Sequence, residues 1–344
     1  MDPITEKQKR LIMILETVEV ERYVTSHLYQ WMGRPLEDRH AIARAFVAKA
    51  VYNYPTTKAL IESLHTMPNL RMICGFVKKS DIPSEATFSR AFGEFTESEL
   101  GDKVHKALIE EHLSEELIGH ISRDSTAIEG NERPKKEKEE KKERKAGPKK
   151  KGRPKRKEVR EDKEDSRIKI QVNQTPSEAL RSIPKFCDVG CKVNAQGYKE
   201  TWIGYKFHVD VTDSGFPITT VLTSASLHDS QVAIPMMKMA TKRVTYLYDL
   251  MDSAYDAGPI YEVSKALGHV PIIDKNPRRG SAIPMSPAEA LRYNERTASE
   301  RFNSRLKDEF GGRTVMVRGD KKVKLHLMFG VIALFADQLL KLLI

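Results

Sequence analysis

The sequence predicts an α/β protein: a mixed sheet with helices on its faces, preceded by an all-helical N-terminal domain. Three observations carry that expectation. Apolar residues recur at helical spacing throughout residues 1–117. Beyond that point short β-rich runs alternate with helical stretches, the pattern of a layered sheet. Between two of those runs lies a stretch with almost no apolar residue, which cannot bury a core.

In the N-terminal part, Leu11, Ile14, Leu15 and Val18, then Val20, Tyr23, Val24 and Leu28, mark the first helical face. Gly33-Arg34-Pro35 is a break. Helices are expected over Asp38–Val51 and Thr57–His65, and another near Pro83, with Ser80 or Asp81 as its N-cap. Such helices can form a packing module or place one helix in a DNA major groove, and the two readings are compatible.

Residues 118–126 read as a short strand around Ile118 and Ile121 with Asp124 at its tail. Gly204 to Val211 alternates, Asp213-Ser214-Gly215 is a turn, and Pro217 to Thr223 returns, which makes a hairpin. Gln231–Met239 reads as a helix, Thr245–Met251 as a buried strand ending at Asp252, Gly258–Leu267 as a helix and Val270–Asp274 as a short strand. Ser286-Pro287-Ala288-Glu289 is a capping box with proline in the first turn, so one helix is expected from there to Phe310, stopped by Gly311-Gly312. The organisation that follows is a helical DNA-binding or assembly domain over 1–117, an α/β domain over 118–133 and 166–317, a basic disordered linker over 134–165 inserted in it, and a C-terminal helix over 318–344 packed on the core.

The chain has 344 residues, 58 Lys and Arg against 48 Asp and Glu, and a net charge of +10, which calls for a polyanionic partner. Residues 135–165 hold sixteen Lys and Arg against nine Asp and Glu, most of that excess. Within them Lys151, Arg153, Lys155 and Arg156 flank Gly152 and Pro154 as in an AT-hook, a segment that lies in a narrow A·T minor groove. A merely basic linker touching phosphates without sequence preference is the equal alternative. Three cysteines, Cys74, Cys187 and Cys191, make no disulfide framework and imply a reducing compartment. The N-terminus has no apolar signal core. The apolar C-terminal stretch is interrupted by His326, Asp337, Gln338 and Lys341, which favours a buried helix over a membrane span. The expected partner is therefore nucleic acid, in the cytoplasm and at the nucleoid, with no membrane.

On the helix that starts at Ser286, Tyr293, Arg296, Glu300 and Lys307 fall at about 0°, −60°, −20° and −40° on a helical wheel, one narrow stripe. A solvated face with an Arg296–Glu300 pair would explain the stripe alone. It is not alone, because Asp124 and Asp252 each end a strand-like run. Two such carboxylates and one from a helix suit two Mg²⁺ ions ~3.5–4 Å apart, the arrangement that cleaves phosphodiesters. Hard divalent ions prefer oxygen ligands. Arg296 and Lys307 would then face the phosphate.

The spacing Tyr293-x2-Arg296-x3-Glu300-x6-Lys307 resembles the signature of insertion-sequence DDE transposases. Asp252-Ser253-Ala254-Tyr255-Asp256 is similar to their second aspartate motif, and Asp124-Ser125-Thr126 to the first. Gly204-Tyr205-Lys206-Phe207-His208 and His228-Asp229-Ser230 have counterparts there too, as do Cys74-Gly75, Ile82-Pro83 and Thr87-Phe88-Ser89-Arg90 in the helical part. The resemblance implies an RNase H-like catalytic domain, two Mg²⁺ or Mn²⁺ ions on Asp124, Asp252 and Glu300, cleavage at the ends of a mobile element, strand transfer into target DNA, and a homodimer on double-stranded DNA. Only 47 residues lie between Asp252 and Glu300, leaving no room for the large β-rich insertion that some relatives carry. The alternative is a transposase-derived DNA-binding protein or regulator without catalysis. Tyr255, His208 and His228 read as structural, Glu295 lies on the wrong face of its helix, and Asp249 on the strand face opposite Asp252.

Overall fold

The computed structural model describes residues 3–24, 37–134, 166–193, 196–277 and 284–343. Six helices come first. α1 (Glu6–Val18) begins at Thr5, whose hydroxyl accepts from the Gln8 amide while the Gln8 side chain accepts from the Thr5 amide, and it buries Leu11, Ile14, Leu15 and Val18. α2 (Arg39–Val51) is capped by Asp38 and buried almost all round, so its small and apolar residues show no single face. α3 (Thr57–Thr66), α4 (Pro68–Cys74), α5 (Glu85–Glu97) and α6 (Leu100–His112) follow. The cap of α5 is Ser84, which accepts from the Thr87 amide. Ser80 and Asp81, the caps expected from sequence, instead sit in a 3-10 turn over Lys79–Asp81. The reason is local: Pro83 disfavours a helical Ile82, whose φ of −76° and ψ of 117° separate turn from helix.

The sheet begins with β1 (Leu117–Glu129). Short helices α7 (Arg167–Val172) and α8 (Pro176–Arg181) lead to β2 (Asp188–Val193), β3 (Lys199–Thr212) and β4 (Pro217–Ser224). Then come α9 (Ser230–Ala240), β5 (Thr245–Met251), α10 (Gly258–Ala266) and β6 (Val270–Ile273). The chain ends in α11 (Pro287–Tyr293), α12 (Thr297–Asp308) and α13 (Asp320–Leu343). The strand order is β2-β3-β1-β5-β6, with β4 also paired to β3. β1 is antiparallel to β3 and parallel to β5, β5 is parallel to β6, and β3–β4 is the hairpin expected from sequence. The sheet is therefore mixed, with β1 at its centre.

Helices cover both faces. The largest core joins α1–α6, α12 and α13 to residues of β1, β3 and β4, and smaller cores lie between α9, α10 and the strands β4, β5 and β6. β4 is buried along its whole length, in contact with both α13 and α9. α13 is long and apolar enough to cross a membrane by length and composition, yet most of it is buried inside this fold. Its Asp337 carboxylate is nearly inaccessible and accepts from Arg10 of α1 and Arg305 of α12.

Gly204 is required where β3 meets both β1 and β2. Its φ is +152°, and a Cβ there would stand 2.1 Å from the Ile128 carbonyl oxygen and 2.6 Å from the Gly130 amide nitrogen, both backbone atoms that cannot turn aside. Gly204→Ala is expected to destabilise the protein by on the order of 3 kcal/mol through overpacking and backbone strain, measured by urea denaturation. A loss below about 1 kcal/mol would mean that the strands separate easily at this point.

Candidate active site

β1 and β5 run parallel, and their register ends at Arg123 opposite Met251. The next residues on the two chains are Asp124 and Asp252, so topology alone brings these acids side by side. Side chains alternate along a strand, so Ser122 and Asp124 share the face of β1 that meets α12. There the Ser122 hydroxyl donates to the Arg296 carbonyl at 2.9 Å, and Asn303 Nδ2 donates to Asp124 Oδ2 at 3.1 Å. Asp252 turns the chain: its carboxylate accepts from the Ala254 amide at 2.9 Å and caps a 3-10 turn over Ser253–Tyr255.

The helix expected to run unbroken from Ser286 to Phe310 is divided. After α11 the chain tightens into a 3-10 segment over Asn294–Arg296 before α12 begins. Side-chain hydroxyls take the carbonyls there: Thr297 donates to Asn294, and both Ser122 and Ser299 donate to Arg296. Such competition for backbone acceptors favours a local departure from α geometry. The break sets Arg296 against the middle of β1, which runs on to Glu129 beyond the end expected at Asp124, and the end of β5.

Arg296 is where the acids converge. It is ion-paired to Glu300, its guanidinium lies 5.7 Å from the centre of the Tyr293 ring, and Asp124 and Asp252 are close enough to act on its charge. Burial works to lower its pKa, but Tyr293, Glu300, Asp124 and Asp252 together hold it raised. Burial pushes the Asp124 carboxyl up to about 6, with Asp252 and Asp229 adding to the rise and Arg296 opposing it. Asp252 is also raised, by burial first and then by Asp229 and Asp274. Tyr293 is pushed up to about 12, chiefly by burial.

Asp229 is the acid that sequence reasoning passed over. It precedes α9 and acts on both Asp124 and Asp252. Burial would raise its pKa, but His208 and Lys206 nearby, with hydrogen bonds from Lys206 and Ser125, hold it below the ordinary carboxylate range. The Lys206 amine is 2.9 Å from Asp229. This gives the lysine of Gly204-Tyr205-Lys206-Phe207-His208 a physical role. The one signal in the sequence was that two motifs each carried a charge of opposite sign; their meeting depends on the sheet.

The other residues divide. Lys307 stays on the stripe but lies seven residues beyond Glu300, about 10 Å along the helix. Its charged neighbours are Lys192, Arg313, Glu129 and Asp308, and burial lowers its pKa. It is thus not gathered with the acids. Tyr255 is buried beneath them, with its hydroxyl raised well above the ordinary range by burial and by Asp229, Asp124 and Asp252. His208 is buried, lowered to about 4 by burial, and bonded to Thr223. Lys151, Arg153, Lys155 and Arg156 lie outside the described residues, as does Leu28. Among the described residues, no group of three or more His, Cys, Asp or Glu side chains is placed to hold a metal ion, and Glu300 faces Arg296 instead. The oxygen-only donor set and the raised Asp124 and Asp252 nevertheless suit a hard divalent cation, which would offset their crowded negative charge.

Residues 2–94 match a family model described as Transposase domain (DUF772). Residues 192–336 match one described as Transposase DDE domain. Both matches are to transposase domains. The second covers Asp229, Asp252, Tyr293, Arg296, Glu300 and Lys307, while Asp124 lies between the two matched stretches. No curated protein matches the chain. The two matches support an insertion-sequence transposase.

Proposed function

We propose that the chain is a DNA transposase that cleaves phosphodiester bonds at the ends of a mobile element and joins the freed strand to target DNA. The observation that supports this reading is that Asp124, within β1, and Asp252, just past the end of the parallel neighbour β5, lie side by side and both act on the charge of Arg296, which is paired to Glu300. The strand arrangement, an antiparallel β4–β3–β1 set continued by parallel β5 and β6, supports an RNase H-like catalytic domain. The matched DDE domain supports divalent metal dependence.

Asp124, Asp252 and Glu300 would hold Mg²⁺ or Mn²⁺, which when bound activates the attacking oxygen and stabilises the leaving one. The protein's own groups do the remaining work. Asn303 orients Asp124 through its 3.1 Å hydrogen bond. Arg296 supplies fixed positive charge where the phosphate gains negative charge. Glu300 must exchange its partner, leaving Arg296 to face the phosphate. Lys307 lies near Lys192 and Arg313 at the end of α12, where Glu129 and Asp308 also stand, and its amine would face the DNA backbone further on. Double-stranded DNA, a homodimer on paired ends and a location at the nucleoid belong to the same reading. So do the boundaries proposed above for the helical and α/β domains.

The test is to incubate the full chain with Mg²⁺ and duplexes carrying the sequences that flank its gene. Cleavage followed by joining is expected. Glu300→Gln should lose cleavage by on the order of 10²-fold or more while retaining duplex binding. Nicking without joining would make the protein a different nuclease. Binding without nicking would favour a regulator in which the Arg296–Glu300 pair stays closed.

A further inference from the structure

We propose that the cavity of about 420 Å³ between α2, α3, α5 and residues 310–329 binds a nucleotide, with its phosphate on the Lys49 amine. Lys49 lies in the last turn of α2 and is only 7% exposed. Its amine has no hydrogen-bond or ion-pair partner among the described residues, and burial alone lowers its pKa to about 8. A buried cation without a counter-charge is costly, and this one lines a cavity large enough to admit the missing anion.

The surroundings favour an anion further. Arg318 and Lys322 line the same cavity. Thr56 and Thr57 bring the N-terminus of α3 to it and Glu85 brings that of α5, so two positive helix ends open there. Glu85 is the one acid among the lining residues, and it is exposed. His326, beside Lys49, is lowered to about 3 by burial first and then by that lysine, so it brings no negative charge. The remaining wall is aromatic, with Phe92, Phe310 and Phe329. Phosphate-binding charge against an aromatic wall, in a space of this size, fits a phosphate bearing a flat base better than a bare anion.

The site is distinct from the acid cluster. Phe310 lies just past the end of α12, more than two helical turns beyond Glu300. The nucleotide can be free in solution or part of a DNA strand.

Calorimetric titration of the full chain separates these sources. The probes are a deoxynucleoside 5′-monophosphate, the matching deoxynucleoside, inorganic phosphate and a five-nucleotide single strand. The monophosphate is expected to bind saturably, with nucleoside and phosphate each weaker by about tenfold or more. Lys49→Met, which removes a buried charge and should keep its melting transition, is expected to weaken monophosphate binding about tenfold or more. If the single strand competes in wild type and not in Lys49→Met, the nucleotide belongs to DNA; if it fails to compete, the free nucleotide is the ligand. Phosphate binding as tightly as the monophosphate, no saturable binding of the monophosphate, or unchanged binding in Lys49→Met would overturn the proposal. Asp124→Asn should bind the monophosphate normally, so the outcome does not depend on the catalytic reading.

Discussion

Asp124→Asn is expected to abolish strand cleavage, by on the order of 10³-fold, and at the same time to raise thermal stability at neutral pH. Both effects have one origin. Burial, with Asp252 and Asp229 nearby, pushes the Asp124 carboxyl from 3.8 up to about 6. The folded protein therefore holds this proton to a higher pH than the unfolded chain does. Between pH 3.8 and about 6 the native state binds more protons, so stability falls as pH rises through that window and levels off above it. A shift of about two units corresponds to a penalty of at most about 3 kcal/mol at neutral pH. The amide never carries that charge, and its oxygen can still accept from Asn303. The variant should melt several degrees above wild type at neutral pH, and the difference should vanish as pH falls to about 4. Mg²⁺ should stabilise wild type and not the variant. Scanning calorimetry across pH, with and without Mg²⁺, reads all of this. Equal melting temperatures at neutral pH, or retained cutting by the variant, would remove Asp124 from the proposed role.

The parts of this site that were legible in the sequence are those fixed by short-range pattern. Thr245–Met251 reads as a strand because it is short, β-rich and bounded, and β5 spans those residues. The hairpin announces itself through Asp213-Ser214-Gly215. What could not be read depends on partners distant in sequence. β1 extends to Glu129, beyond the strand read over 118–126, because β3 pairs with it to its end. β2, an edge strand with three exposed residues in a row, has no apolar alternation to detect. The 3-10 break at Asn294–Arg296 depends on Ser122, more than 170 residues earlier. Asp229 joins the acids only because the sheet places its motif beside Lys206. One signal was available and unused. Arg123, Asp210 and Asp249 each stand inside an apolar strand-like run, and opposite charges in such positions imply mutual burial.

That burial makes Arg123→Met the substitution with the largest expected cost to stability, about 3–5 kcal/mol. The Arg123 side chain is 0% exposed, as are those of Asp210 and Asp249. Its guanidinium stands 2.7 Å from Asp210 and 3.5 Å from Asp249. Thr219 donates to Asp210, while Tyr246 and Ser264 donate to Asp249 at 3.1 Å and 2.6 Å. Burial would lower the arginine pKa, yet the two carboxylates hold it raised; burial raises Asp210 despite the arginine. Removing the cation leaves two carboxylates facing one another away from water, which costs far more than the pair contributes when intact. Arg123→Lys should recover little, since one ammonium cannot reach both acids in the geometry that the planar fork allows. The triple variant Arg123→Met, Asp210→Asn, Asp249→Asn should recover most of the loss, because the stranded charges go with their partner. Urea denaturation measures each step, and a single-variant loss below about 1 kcal/mol would mean that water reaches these acids. Arg123 and Asp124 are consecutive on a strand, one side chain turned into this network and the other towards α12. The network therefore bears on cleavage only by holding the middle of β1 in place. Cleavage should return with stability in the triple variant; cleavage that stays lost in a refolded triple variant would give Arg123 a role of its own in positioning Asp124.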